Sequence, residues 1–145
     1  MPGSSHDSID RTVAKTREWI DEVAAEFGDD DHHEAYRILR AFLRTVRDRV
    51  GMNEAVQLAA QLPELLRGAY YEGWVPSQTP KRYDRDAFLK HFAEEARLAG
   101  ETEASYAAAA VMTVLRRRIS PGEIEDVLAN FPADLRELFE ASAPG

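Results

Sequence analysis

The chain resembles itself when it is shifted by 69 positions, and this self-similarity limits the folds it can adopt more than any other feature. Residues 18–71 align with residues 87–140 without a gap. The segment HEAYRILRAFLRTVRDRV at 33–50 falls on TEASYAAAAVMTVLRRRI at 102–119, and LAAQLPELLRGAY at 58–70 falls on VLANFPADLRELF at 127–139. We interpret the pattern as an internal duplication.

Each copy predicts four helices. In the first copy, apolar residues recur every three or four positions from Ile9 to Phe27, and Gly28 is a natural helix stop. Asp31 is a good N-cap for the second helix, with Glu34 at the capping-box position. The core face expected for that helix consists of Tyr36, Leu39, Leu43, Val46 and Val50.

The end of each copy predicts two short helices. Gly51 breaks the chain, a third helix follows, and Pro63 suits the first turn of a fourth. In the second copy SPGE, residues 120–123, supplies a serine cap, a proline at the first helical position and a glutamate at the third. No stretch alternates as a strand does, so we predict an all-α fold of eight helices, as two tandem related four-helix units packed into one compact bundle.

The predicted organisation has four parts. Residues 1–15 form an N-terminal extension and the start of the first helix, 16–74 the first repeat, 75–83 a proline-containing linker and 84–142 the second repeat. Single domains commonly have this total length of 145 residues.

Composition excludes several function classes. The chain has no cysteine, which excludes disulfides, thiolate metal sites and cysteine nucleophiles. A net charge of −8 makes nucleic acid an unlikely main partner, because phosphate binding relies on accumulated positive charge. The most apolar run, 104–115, is too short to span a bilayer, and no secretory signal is apparent, so we expect a cytoplasmic protein of bacterial type with no membrane span.

Two aromatic residues stand out at the junction of the copies. Tyr70 aligns with Phe139 and is therefore expected in the core, whereas Tyr71 and Trp74 have no aromatic counterpart in the second copy. One hypothesis is that both rings cover apolar surface where the two halves meet. The other is that they bind a partner, since exposed tyrosine and tryptophan are favoured interface anchors.

An arginine stripe follows the second helix at Arg37, Arg40, Arg44 and Arg47. It has two interpretations: ion pairing with acids of the first helix, namely Glu18, Asp21, Glu22 and Glu26, or docking of an anionic ligand or partner. Only Arg47 is matched by an arginine in the second copy, so a functional stripe belongs to the first half. The run Arg116–Arg118 is expected to oppose the dipole at the end of its own helix.

The histidines are weak candidates for a metal site. His32 and His33 lie in the acidic segment DDDHHE at 29–34, and His91 lies three residues before Glu94. Neighbouring residues on a helix point about 100° apart, so His32 and His33 cannot both face one ion without ligands from elsewhere, for which His91 and Glu94 are the candidates. We predict no bound metal and no cofactor.

The segments HEAYRILRAFLRTVRDRV, LPELLRGAYYEGWVP and ISPGEIEDVLANFPADLRELF resemble the bacterial family called domain of unknown function 2267, over about residues 16–140. This resemblance implies a duplicated all-helical domain with no assigned activity and therefore no catalytic residues to carry over. Gly51 departs from the family pattern, which tends to have a hydroxyl residue as the cap of the third helix.

No catalytic or phosphate-binding motif is present. We therefore expect a non-catalytic module for binding a protein partner or for self-association, acting through Tyr71 and Trp74. The alternative is a small-molecule-binding or metal-dependent enzyme with a pocket between the two repeats, using His32, His33, His91 and the arginine stripe.

Overall fold

A computed structural model describes the backbone of residues 4–140 and the side chains of residues 7–140. The outermost residues of the predicted first and last segments, 1–3 and 141–142, lie outside this range. Between residues 4 and 140 the chain forms eight α-helices, one single-turn 3-10 helix and no strand, which confirms the all-α prediction. The α-helices are α1 Ser4–Phe27, α2 His32–Arg49, α3 Met52–Ala59, α4 Glu64–Tyr71, α5 Arg85–Ala96, α6 Glu101–Arg118, α7 Pro121–Ala129 and α8 Ala133–Glu140, and the 3-10 helix is Pro76–Gln78.

The four long helices form the central bundle. Helix α1 packs against α2 and α6, and α5 packs against the same two helices. Of the short helices, α4 lies against α1 and α2, α8 against α5 and α6, and α3 and α7 pack on each other. The bundle therefore draws two long helices from each half of the chain, and the halves share one core.

Aromatic rings fill the centre of that core. Phe42 of α2 is fully buried and makes edge contacts with Phe88 and Phe92 of α5 and with Phe139 of α8, at centroid distances of 5.8, 5.5 and 5.6 Å. Edge-to-face packing of this kind adds to the gain from apolar burial. Both halves therefore depend on the same cluster of rings.

Helix boundaries keep the 69-residue spacing of the sequence. Helices α2, α3 and α4 begin at residues 32, 52 and 64, and α6, α7 and α8 begin at residues 101, 121 and 133. The interpretation of this spacing as two duplicated four-helix units remains a prediction.

The predicted caps form at both marked helix starts. Asp31 Oδ1 accepts hydrogen bonds from the amides of His33 and Glu34 at 3.0 and 3.1 Å. Ser120 Oγ accepts from the amide of Glu123 at 3.2 Å. Helix α1 ends before Gly28, whose φ of +80° lies in the left-handed region that glycine tolerates best.

The apolar stripe predicted for α1 is only partly buried. Val23 is fully buried, but Ile9 is 59% exposed. On α2, Leu39, Leu43, Val46 and Val50 are buried as predicted, whereas Tyr36 is only half-buried. The burial of α2 also extends to Ile38 and Phe42, since it packs against α1, α4, α5 and α6 and not against one neighbour.

Candidate functional site

The aromatic patch, defined as Tyr71, Trp74 and Val75, lies at the carboxyl end of α4. The Tyr71 and Trp74 rings stack at a centroid distance of 5.5 Å with 29° between their planes. Both rings are half-buried against the core, and Tyr71 also contacts the fully buried Tyr70. Val75 is 45% exposed. The patch thus has an anchored side and a solvent side.

A tight turn brings the two rings together. Helix α4 ends at Tyr71, the amide of Trp74 donates to the Tyr71 carbonyl at 3.0 Å, and Gly73 between them has a φ of +80°. A residue with a Cβ is strained at this φ, so glycine suits the turn that returns Trp74 onto Tyr71.

Two arginines of the predicted stripe hold this end of α4. Arg44 Nε donates to the Ala69 carbonyl at 2.9 Å, and Arg47 Nη1 donates to the carbonyls of Tyr70 and Glu72 at 2.7 and 2.9 Å. These carbonyls belong to the last turn of α4 and the residue after it, which lack donors inside the helix. Positive charge there also opposes the helix dipole.

Arg47 is the most completely satisfied arginine of the stripe. It is 4% exposed, and its Nε and Nη2 bind both carboxylate oxygens of Asp48 at 2.8 and 3.1 Å. The aligned Arg116 donates to the Phe139 carbonyl at 3.2 Å, which is the equivalent of the bond to Tyr70. Its neighbour is Arg117 where the first copy has Asp48, so Arg116 has no adjacent acid.

The outer residues of the stripe have different partners. Arg37 Nε donates to the Ala96 carbonyl at the end of α5, at 2.7 Å, and Arg37 lies 3.7 Å from Glu34. The Arg40 guanidinium lies over the Tyr36 ring, 4.9 Å from its centroid. The structure therefore brings the four arginines along one face of α2, but not to a common site.

Ion pairing between this stripe and the acids of α1 was the wrong interpretation. The three glutamates among those acids pair with the arginine run at the end of α6, Arg117 with Glu22 and Glu26, and Arg118 with Glu18 and Glu22. Asp21 pairs with His32. The reason lies in the packing, because α1 packs against α6 while the stripe of α2 turns toward α4 and α5. The run at Arg116–Arg118 thus does more than oppose its own helix dipole.

The linker predicted at 75–83 forms hydrogen bonds with α2. The Lys81 amide donates to the Asp48 carbonyl at 2.7 Å, and Arg49 Nε donates to the Tyr83 carbonyl at 2.8 Å. Tyr83 in turn stacks on His91 of α5 at 5.3 Å. These contacts fix the path of the chain from the aromatic patch to α5.

The candidate metal ligands are not brought together. His32 Nδ1 lies 2.8 Å from Asp21 of α1 in an exposed pair, and His33 is exposed. His91 stacks on Tyr83 and lies 3.7 Å from Glu95. His32 borders an open cavity of about 380 Å³ with Asp21, Asp29 and Asp30, and a larger one of about 720 Å³ between Phe27 and Tyr106 contains none of the predicted site residues.

A carboxylate pair that sequence reasoning missed joins α3 and α7. Glu54 and Glu123 face each other, and an oxygen of each lies within 4.8 Å of the other and of an oxygen of Asp126. Glu123 is 8% exposed, and one carboxylate oxygen of each glutamate is buried without a hydrogen-bond partner. Burial raises the pKa of Glu123 to about 8, and the neighbouring carboxyl groups of Glu54 and Asp126 raise it further.

The 69-residue spacing of the repeat relates the two glutamates of this pair. Glu54 and Glu123 are 69 residues apart, and each is the third residue of its helix. The aligned helices α3 and α7 pack together and place these two aligned side chains opposite each other.

Within residues 4–140, none of the helices is long and apolar enough to cross a lipid bilayer.

Comparison with known proteins identifies the family. None of the curated proteins compared with the chain matches it. The sequence profile of the family described as uncharacterized conserved protein (DUF2267) matches residues 16–138, most of the chain. The match covers α2 to α7 entirely, together with the second half of α1 and most of α8, and so includes the aromatic patch, the arginine stripe and the carboxylate pair. The chain therefore belongs to the DUF2267 family of uncharacterised proteins.

Proposed function

We propose that this protein is a non-catalytic, cytoplasmic interaction module that binds an apolar segment of a partner protein, flanked by basic residues, through the aromatic patch. The observation that carries the proposal is the stacked Tyr71–Trp74 pair beside the 45% exposed Val75. Aromatic anchors next to exposed apolar surface are typical of the centres of protein interfaces.

The fixed backbone around the aromatic patch supports its choice as the binding surface. Arg44 and Arg47 hold the backbone of residues 69–72 with three hydrogen bonds, and the contact of the Lys81 amide with Asp48 fixes the chain beyond the patch. A surface that is ordered before binding loses less conformational entropy when the partner arrives.

The negative charge of the chain supports the proposal that the partner is basic. The chain carries a net charge of −8, and Glu72 is exposed beside the two rings. The nearest arginines, Arg44 and Arg47, are engaged by carbonyl groups and by Asp48. A basic partner is therefore attracted, whereas a second copy of this chain and nucleic acid are repelled.

Substitution of Val75 tests the patch. Val75→Glu places a charge on an exposed side chain, so the fold should be retained while the apolar surface is lost. Leu65→Glu is the matched control, since Leu65 is 51% exposed on the first turn of α4, away from the patch. Circular dichroism and thermal melting of both variants should match the wild-type protein.

The binding measurement has two stages. Immobilised wild-type chain captures a protein from a bacterial lysate, and the purified protein is then titrated against each variant by calorimetry. We expect Val75→Glu to weaken binding at least about tenfold, Leu65→Glu to leave it unchanged, and added salt to weaken it. Equal affinity of both variants, an acidic partner, or concentration-dependent self-association abolished by Val75→Glu contradicts the proposal.

The competing hypothesis is a small-molecule-binding or metal-dependent enzyme with a pocket between the repeats. It requires His32, His33 and His91 to cooperate with the arginine stripe. Metal analysis of the purified protein and a thermal-shift screen with divalent ions and phosphorylated metabolites test it. A stoichiometric metal lost on mutation of His32 and His91, or a saturable shift with one metabolite, favours the enzyme over the interaction module.

A further inference from the structure

The contact between α3 and α7 places the buried Glu123 against the half-buried Glu54. Glu54 is the only charged residue of α3, and it faces Glu123 of α7. Asp126, one turn further along α7, adds a third negative charge and is exposed. Two ionised carboxylates at such a distance repel each other strongly when water is excluded.

Among residues 7–140, the charged groups that act on Glu123 are both acidic. Besides burial, Glu54 and Asp126 raise the pKa of Glu123. On α2, which packs against α3, Arg47 binds Asp48 and the carbonyls of Tyr70 and Glu72. On α6, which also packs against α7, Arg116 donates to the Phe139 carbonyl, and Arg117 and Arg118 pair with acids of α1.

Local hydrogen bonding turns Glu123 toward Glu54. In a complete capping box, Glu123 would accept the amide of Ser120. That amide instead donates to Gln61 Oε1 at 3.2 Å, so the first half of the chain occupies the position that the glutamate would take. The carboxyl group of Glu123 therefore does not accept the Ser120 amide, and it faces Glu54 of α3 instead.

We propose that Glu54 and Glu123 share one proton across the α3–α7 contact, and that this shared proton is a pH-sensitive latch holding the end of the first half against the second. With the proton in place, a carboxyl group donates to a carboxylate and the charge of the buried pair falls from −2 to −1. When the proton is lost, the two carboxylates repel, and the contact between α3 and α7 loosens. Carboxylate pairs at a shared site commonly retain one proton in this way.

The direction of the pH effect follows from proton linkage. Glutamate has an ordinary pKa of 4.5 in the unfolded chain, and the folded protein holds the proton of Glu123 up to about pH 8. The folded state therefore binds more protons than the unfolded state between these values. Stability contributed by the latch is present below the lower value and declines as the pH rises through the window.

The direct test is a titration of the full chain with ¹³C-labelled glutamate. Carbon-detected NMR follows the side-chain carboxyl carbons from about pH 4 to about pH 9.5, and Glu123 is assigned from the Glu123→Gln variant. We expect one glutamate signal to titrate more than two pH units above the exposed glutamates, and to move toward the ordinary range in Glu54→Gln. A Glu123 signal that titrates with the exposed glutamates overturns the proposal.

A second measurement tests whether loss of the proton loosens the contact between α3 and α7. Amide hydrogen exchange of α3 and α7 should accelerate at least about tenfold more than that of α5 between pH 6 and 9, after correction for the intrinsic pH dependence. Glu123→Gln should abolish the difference, because glutamine stays neutral and still donates to Glu54. Glu125→Gln, an exposed acid on the same helix, is the matched control and should behave as the wild-type protein.

A divalent cation is the other way to neutralise three carboxylates. Both experiments are therefore run after treatment with a chelator and again with added Ca²⁺, Mg²⁺ or Mn²⁺. A proton latch gives the same titration in chelator, with no saturable response to any of the ions. Saturable binding of one ion that requires Glu123 and lowers its titration overturns the shared proton and assigns the site to a metal.

Discussion

Replacement of Arg47 by alanine should destabilise the protein far more than replacement of the equivalent Arg116. Arg47 is 4% exposed and donates to the carbonyls of Tyr70 and Glu72 and to both oxygens of Asp48. Its removal leaves two carbonyls without a donor and one carboxylate without a partner. Each unsatisfied buried group costs about 1–3 kcal/mol, and breaking a buried ion pair costs about 3–5 kcal/mol.

We therefore expect Arg47→Ala to lower the free energy of unfolding by about 3–5 kcal/mol. Arg116→Ala removes one hydrogen bond, at 3.2 Å to the Phe139 carbonyl, and should cost about 1 kcal/mol. The two variants delete the same side chain at aligned positions, so helix propensity and side-chain size are matched. The difference between them measures the contribution of Asp48 and Glu72.

Urea unfolding followed by far-ultraviolet circular dichroism gives both free energies. Arg47→Met is included because it keeps much of the buried volume and removes only the charge and the donors. Equal losses for Arg47→Ala and Arg116→Ala would refute the reasoning, as would a cost below about 1 kcal/mol for Arg47→Ala. Either result would mean that Arg47 is not required for stability, and Arg47 would again be a candidate for ligand binding.

Three further measurements test the core, the ion pairs and the latch. Phe42→Ala removes a fully buried ring that touches Phe88 and Phe139 and should cost about 3–5 kcal/mol in urea unfolding; a cost below about 2 kcal/mol means that the shared core is wrong. The double variant Arg117→Ala, Arg118→Ala should lose about 1 kcal/mol at low salt and less at about 1 M salt, and a loss independent of salt excludes ion pairing as the cause. The free energy of unfolding should fall as the pH rises from about 5 to about 8, by at most about 4 kcal/mol, and Glu123→Gln should flatten this slope.

Several features of the fold could be predicted because they depend on local sequence. Gly28, Asp31 and Ser120 end or begin helices through their own backbone freedom or side-chain oxygens, which act within a few residues of the chain. Helical spacing of apolar residues similarly identified most of the buried face of α2. The exposure of Ile9 could not be predicted this way, because an apolar stripe indicates which face is suited to burial and not whether a neighbour reaches it.

The candidate site was predictable in its residues but not in its contacts. The spacing of Arg37, Arg40, Arg44 and Arg47 correctly indicated one face of α2, yet their partners are backbone carbonyls, which leave no trace in a sequence. Tyr71 was recognisable as an extra aromatic because its aligned position is Glu140. Its stacking on Trp74 depends on the turn at Gly73 and on the core behind it.

The amino-acid sequence by itself determined the helices, their caps, the 69-residue recurrence and the family, since all four depend on neighbours along the chain or on residue identity. Tertiary structure alone decided which charges meet: Arg117 and Arg118 reach the acids of α1, Arg47 reaches the end of α4, and Glu54 faces Glu123. The physical reason is that a side chain's electrostatic partner is set by which helices lie side by side, and the packing of the whole core fixes that arrangement.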